Sequence, residues 1–169
     1  LPIYPTGAAS PDDYLAALCR QSLAKRYGAE PGERVQRLLA HELAVIGQLG
    51  LANYFLIVWD IVRFARGQGI RCQGRGSAAN SLVAFLLGIT PIDPLAHDLV
   101  FERFLSTERS TTPDIDIDFQ AKRREEVIQY IYSRYGREHA AMACTFVTYR
   151  QRSAVRDVAK ALAFPPDLI

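Results

Sequence analysis

Asp114-Ile115-Asp116-Ile117-Asp118-Phe119 constrains this chain more than any other stretch, because its polar and apolar residues alternate with a period of two. A helix repeats every 3.6 residues and would scatter these side chains, whereas a strand sorts them onto two faces. The segment is therefore expected to be a strand with Asp114, Asp116 and Asp118 on one face and Ile115, Ile117 and Phe119 turned to the core. Aspartate is disfavoured in strands and like charges along one face repel, so the arrangement costs stability unless a cation or a basic partner lies against it. A hard divalent ion meets that need: magnesium takes carboxylate oxygens at about 2.0–2.1 Å and leaves positions for water and phosphate. Two such ions about 3.5–4 Å apart suit metal-assisted phosphoryl or nucleotidyl transfer. The competing reading is a half-exposed edge strand whose aspartates discourage edge-to-edge pairing. A calcium loop is disfavoured, since the glycine and closing glutamate of the helix-loop-helix pattern are missing.

The residues before this strand are mostly helical in pattern. Ser10-Pro11-Asp12-Asp13 opens a helix that Gly28 stops, and Pro31-Gly32-Glu33 opens a second that runs to Gly50. A third, from about Asn53 to Arg66, carries Tyr54, Phe55, Ile57, Val58, Trp59, Ile61, Val62 and Phe64, so it is expected at the centre of the core. A short strand near Ile70 to Cys72 then leads through Gly74-Arg75-Gly76-Ser77 into a helix capped by Ser77 and closed by Gly88. Residues 89–112 read as loop, with one apolar turn around Phe101, Phe104 and Leu105 and a Ser/Thr cluster from Ser106 to Thr112. After the acidic strand come a helix over Lys122 to Tyr135, a strand over Ala141 to Val147, and a last helix over Tyr149 to Ala163 that Pro165 ends. Helix and strand are mixed throughout, which makes this an α+β chain.

Gly74-Arg75-Gly76-Ser77, between a strand and a helix, is the kind of turn where backbone can approach an anion. It is neither a dinucleotide fingerprint, since Ala79 stands where the third glycine belongs, nor a Walker loop, since no Gly-Lys-Ser/Thr occurs. A tight turn with an N-cap is the alternative; Arg75 and the nearby acidic strand weigh towards phosphate. The net charge of +2 says nothing about nucleic acid, so local clusters decide. Lys122, Arg123 and Arg124 are partly neutralised by Glu125 and Glu126. Arg150, Arg152, Arg156 and Lys160 face a single acid, Asp157, and the last three share a helical face that can follow a phosphate backbone. Cys19, Cys72 and Cys144 form no metal or disulfide pattern and read as buried thiols, while His41, His97 and His139 are scattered and read as surface or structural groups. The apolar runs are broken by Asp60, Arg63 and Gly88 short of the ~18 residues of a membrane span, so a cytoplasmic protein without membrane contact is expected. The start at Leu1 and the Pro165-Pro166-Asp167-Leu168-Ile169 ending suggest a piece of a longer chain.

Gly74-Arg75-Gly76-Ser77-Ala78-Ala79-Asn80-Ser81, Phe101-Glu102-Arg103-Phe104-Leu105, Pro113 to Phe119 and Arg156-Asp157-Val158 together resemble, in order and spacing, the bacterial DNA polymerase III alpha subunit family. The resemblance reaches back through Tyr54 to Asp60 and covers nearly the whole chain. Cys72-Gln73-Gly74-Arg75-Gly76-Ser77 and Thr148-Tyr149-Arg150-x-Arg152-Ser153 look more like the error-prone, damage-tolerant branch than the main replicase, which usually has Gly-Pro where Gln73 and its neighbour stand.

The resemblance implies a palm similar to polymerase beta-type nucleotidyltransferases: a small mixed sheet with helices packed on it and a helical N-terminal part. Residues 1–148 would be palm, with 1–68 helical and 69–148 the nucleotidyltransferase core, and 149–169 the start of the thumb. It implies Asp114 and Asp116 as catalytic metal ligands, with Asp118 a third carboxylate, and two Mg2+ ions whose remaining aspartate lies outside this chain. The strand alternation alone leaves open which two of the three ligate. Gly74, Arg75, Gly76, Ser77 and Lys122 would meet the triphosphate, and Arg150, Arg152, Arg156 and Lys160 the DNA. Implied partners are primer-template DNA, deoxynucleoside triphosphates and, through other regions, a sliding clamp and replication or mutagenesis proteins. By itself the segment should not polymerise DNA. The alternatives are a template-independent nucleotidyltransferase and a non-catalytic cation- and DNA-binding module.

Overall fold

Ser10 opens the first helix: its Oγ accepts the Asp13 N–H at 3.1 Å, Pro11 takes the first helical position, and Gly28 follows the last turn at a φ of 86°. The computed structural model describes residues 1–106, 113–143 and 145–168. Helices α1 (Pro11–Tyr27), α2 (Glu33–Gln48) and α3 (Ala52–Gly67) lead to strand β1 (Cys72–Arg75), a 3-10 turn (Gly76–Asn80) and the short helix α4 (Leu82–Leu86). A 3-10 turn (Phe101–Arg103), strand β2 (Asp116–Phe119), a further 3-10 turn (Ala121–Arg123), α5 (Arg124–Tyr135) and α6 (Gln151–Ala161) follow. The Ser/Thr cluster beyond Ser106 and the thiol of Cys144 lie outside the described residues.

α3 is the central element, as its apolar surface predicts. Phe55, Leu56, Val58 and Val62 are buried, packed against Leu15, Cys19 and Leu23 of α1, Leu39 and Ile46 of α2, the whole of α4, and Phe101 and Phe104, while Ala65 is buried in a smaller cluster with Ile70 and Val127. Phe64 stacks on Tyr130 with ring centres 3.8 Å apart, which ties α5 to the same helix. Among the described residues no single helix is long and apolar enough to cross a membrane; α2 and α3 pass that test only as a pair, bent by 111° at their junction.

The sheet differs from expectation. Among the described residues it is a two-stranded antiparallel ribbon and not a mixed sheet, with Cys72 opposite Phe119, Gln73 opposite Asp118, Gly74 opposite Ile117 and Arg75 opposite Asp116. The expected strand over 141–147 does not form in its described residues, because they meet no neighbouring strand; Met142, Phe146 and Val147 are exposed. β1 starts two residues later than the apolar Ile70 suggests, since β2 ends at Phe119 opposite Cys72, and it runs on through Arg75. The helix after the glycine turn is capped by Ser81 and not by Ser77: Ser81 Oγ accepts the Ala84 N–H at 3.1 Å, and the intervening residues wind as a 3-10 turn. Of the cysteines, Cys19 is buried, its thiol pushed up to about 12 by burial, but Cys72 is only half-buried.

Candidate functional site

The pleat of the ribbon sorts its residues as alternation requires. Gln73, Arg75, Asp116 and Asp118 are exposed on one face, while Gly74 is buried and Cys72, Ile117 and Phe119 are half-buried on the other. Asp114 is exposed as well and precedes the ladder; Ile115 beside it donates its N–H to the Tyr54 hydroxyl at 3.2 Å instead of to a strand. Tyr54 thus props the start of the acidic segment from α3. Burial raises its hydroxyl pKa against the opposing hydrogen bond from Ile115, and the charges of Asp114 and Asp116 push it the same way.

The glycine turn sits directly on this acidic face. Gly76 has a φ of 67°, where an L side chain is strained, and a Cβ there would stand 3.4 Å from Asp116 Oδ2. Ser77 Oγ donates to the Asp114 carbonyl at 3.3 Å, and Asn80 Nδ2 donates to the Ser77 carbonyl at 2.9 Å. Gly76, Ser77, Asp114 and Asp116 are therefore brought to one exposed surface by the antiparallel pairing of β1 and β2. Arg75 lies beside them, but its Nε donates to Asp118 Oδ1 at 3.0 Å. Asp118 thus differs from Asp114 and Asp116 in having a guanidinium partner among the described contacts.

Gly74 has a different task from the one its place in the motif suggests. It is buried, its N–H donates to the Ile89 carbonyl at 2.7 Å, and a Cβ there would stand only 2.7 Å from that same oxygen. Its N–H is committed to the core, which removes it from any anion cradle. Gly74→Ala is expected to push β1 off Ile89 and destabilise the chain by about 1–3 kcal/mol, measured as a lowered denaturation midpoint.

The remaining sequence-selected residues are not gathered at this face by any described contact. Lys122 is exposed in the turn that follows β2, next to Arg123, which grips both Glu126 oxygens at 2.7 Å and the Gln68 carbonyl at 2.9 Å. Arg152, Arg156 and Lys160 are exposed on α6, a helix with no buried residue, and Arg150 is exposed at its cap. His41 and His139 pair with Glu102 and Glu138 at 3.0 and 3.2 Å on the surface.

Asp114 and Asp116 offer an all-oxygen, solvent-facing donor set next to a turn, the chemistry that magnesium binding through one or two carboxylates plus phosphate oxygens requires. Among the described residues no three histidine, cysteine, aspartate or glutamate side chains converge to hold a metal ion, so the pair fits such an ion only as part of a larger ligand set.

Two acids to which the sequence pattern gave no structural role are buried. Glu42 lies on the apolar face of α2 between Leu39 and Ile46, and Asp60 interrupts the apolar run of α3; both are fully buried. A carboxylate at a core position of a helical stripe was the signal available for each.

Residues 13–169 match the family described as bacterial DNA polymerase III alpha NTPase domain. The chain is 58% identical over 156 residues to an error-prone DNA polymerase of Anaeromyxobacter sp. (strain K), covering 92% of this chain and 14% of that protein. Similar proteins of the same description occur in Methylococcus capsulatus, 56% identical over 94% of this chain and 16% of the relative, and in Pseudomonas aeruginosa, 53% identical over 94% and 15%. The chain therefore spans about one seventh of the length of these relatives. With the family match running over almost its whole length, and with relatives more than half identical along it, the chain belongs to the bacterial DNA polymerase III alpha NTPase domain family.

Proposed function

We propose that this chain is the part of an error-prone, template-directed DNA polymerase that presents two metal-binding carboxylates and the turn that receives the triphosphate of an incoming deoxynucleotide. The reading rests above all on the adjacency of Gly76 to the Asp116 carboxylate. Asp114 and Asp116 supply oxygens to divalent cations, and Gly76 and Ser77 meet the triphosphate at close backbone range. Arg75, one residue earlier, neutralises the triphosphate when it leaves Asp118, and Lys122 adds positive charge. The Arg75–Asp118 pair is exposed on both sides, so it is weakly held and readily exchanged.

The reaction is attack of a primer 3′-hydroxyl on the α-phosphorus, with pyrophosphate leaving. Two magnesium ions, when bound, would lower the pKa of that hydroxyl and stabilise charge on the phosphate oxygens. Residues 1–148 are assigned to the palm and 149 onward to the start of the thumb, where Arg150, Arg152, Arg156 and Lys160 follow the DNA backbone. That division is supported by the exposure of the cationic residues on α6 and by the absence of any buried residue in this helix. Contacts with a sliding clamp belong to other parts of the longer protein, which works on primer-template DNA in the cytoplasm.

Template dependence separates this reading from a template-independent nucleotidyltransferase. The polymerase that contains this segment, given one deoxynucleotide at a time and four primer-templates differing in the first template base, is expected to extend mainly the complementary combinations. Equal extension with every template would favour the template-independent enzyme.

A further inference from the structure

Glu42 is fully buried on α2, and nothing in the chemistry above uses it. Its Oε1 accepts the Leu82 N–H at 2.8 Å, and its Oε2 accepts the Val83 N–H at 2.9 Å and the Ser81 hydroxyl at 2.8 Å. Ser81 Oγ in turn accepts the Ala84 N–H. The first N–H groups of α4 are thus all taken, two by Glu42 directly and one through Ser81. This closes the start of α4 to any anion, so a phosphate must be met by the turn that precedes it.

That turn is pinned at both ends. At its start Gly74 is bonded to Ile89; at its finish Ser81 donates its N–H to the Ala78 carbonyl at 3.2 Å and its hydroxyl to Glu42. Between these anchors stand Gly76 and Ser77, beside Asp116 and Asp114. Ser81 Oγ caps only the Ala84 N–H, so Glu42 satisfies the buried Leu82 and Val83 N–H groups, and through the Ser81 hydroxyl it also reaches the residue that ends the turn. Glu42 thereby fixes the start of α4 and, through Ser81 and its bond to Ala78, the end of the turn.

We propose that Glu42 is a positioning residue for nucleotide binding, fixing the α4 end of the glycine turn so that Gly76 and Ser77 stay in register with Asp114 and Asp116. This rests on the functional reading given above. The titratable groups around it are His41 on its own helix and the Cys19 thiol of α1, the latter held neutral by burial. Burial pushes Glu42 itself up to about 7, against the pull of Val83, Leu82, Ser81 and His41. A folded-state value above the ordinary 4.5 means that the fold favours the protonated form: this group's contribution to stability is present at low pH and is lost as pH rises through about 7. Ionised Glu42 therefore opposes folding while offering its three donors the strongest acceptor. Stability and turn positioning respond to pH in opposite directions, and that contrast distinguishes a positioning role from a merely structural one.

The test uses the full-length polymerase carrying Glu42→Gln or Ser81→Ala, with kcat and KM for the templated deoxynucleotide, primer-template affinity and melting temperature measured from about pH 6 to about pH 8.5. At the alkaline end Glu42→Gln is expected to raise KM about tenfold, the equivalent of one charge-assisted hydrogen bond, with kcat and DNA affinity within about twofold. The KM gap should close towards pH 6, where the parent's Glu42 is itself protonated. Ser81→Ala should raise KM in the same direction by less, and it decides the matter alone if Glu42→Gln fails to fold. Unchanged KM in the folded variants, or KM, kcat, DNA affinity and melting temperature all worsening together at every pH, would overturn the proposal. Asp116→Asn serves as reference: if it abolishes incorporation while the Glu42 and Ser81 variants keep their KM, the role of Glu42 fails alone, whereas full activity in Asp116→Asn sinks the site itself.

Discussion

Asp116→Asn in the full-length polymerase is expected to cut single-turnover nucleotide incorporation on the order of a thousandfold or more, with primer-template affinity changed little. The residue is exposed, lies 3.4 Å from where a Gly76 side chain would begin, and has no cationic side chain bonded to it in the described contacts. Its charge is therefore available to a cation and is not spent on holding the fold. Asparagine keeps the shape and one oxygen but loses the negative charge, and a metal contact of several kcal/mol in the transition state corresponds to a loss of that size. Asp114→Asn should behave alike, whereas Asp118→Asn should act more mildly, through Arg75, because its carboxylate already serves that guanidinium at 3.0 Å. Rapid-quench incorporation and fluorescence anisotropy of labelled primer-template measure the two quantities separately. Normal turnover in both the Asp114 and Asp116 variants would favour a non-catalytic cation- and DNA-binding module.

Asp60→Ala is expected to destabilise the chain by about 3 kcal/mol, lowering its melting temperature by roughly 6–12 °C. The Asp60 side chain is 1% exposed; its Oδ2 accepts the Tyr130 and Tyr135 hydroxyls at 2.6 and 2.8 Å, and its Oδ1 accepts Arg63 Nη2 at 2.8 Å. Arg134 approaches Oδ2 at 3.7 Å. Both arginines are more than a third exposed, so solvent screens their share, and most of the loss comes from the two hydroxyls left without an acceptor. Burial, then the hydrogen bond to Asp60, push Tyr130 up to about 12, so it remains a donor throughout the neutral range. Asp60→Asn keeps an acceptor and should lose less. Trp59, the sole tryptophan and stacked under Arg63, gives a fluorescence signal for the unfolding. An unchanged midpoint for Asp60→Ala would mean that α5 is held to α3 by the Phe64–Tyr130 stack and its neighbours alone.

Local chemistry and periodicity were enough to place α1 from Ser10, α2 and α3 from their apolar stripes, and β2 from its alternation, because caps and side-chain spacing act within a few residues. The carboxylates and the glycine turn were visible for the same reason. Tertiary structure alone decided that Gly74 packs on Ile89, that Asp118 answers Arg75 across the ribbon, that Ser81 and not Ser77 starts α4, and that 141–147 finds no strand to pair with. It also decided the partners of the buried acids: Glu42 meets donors about 40 residues away and Asp60 meets tyrosines 70 and 75 residues on. Such contacts join positions far apart in the chain, and a one-dimensional pattern holds no information on which distant donor a buried carboxylate will face.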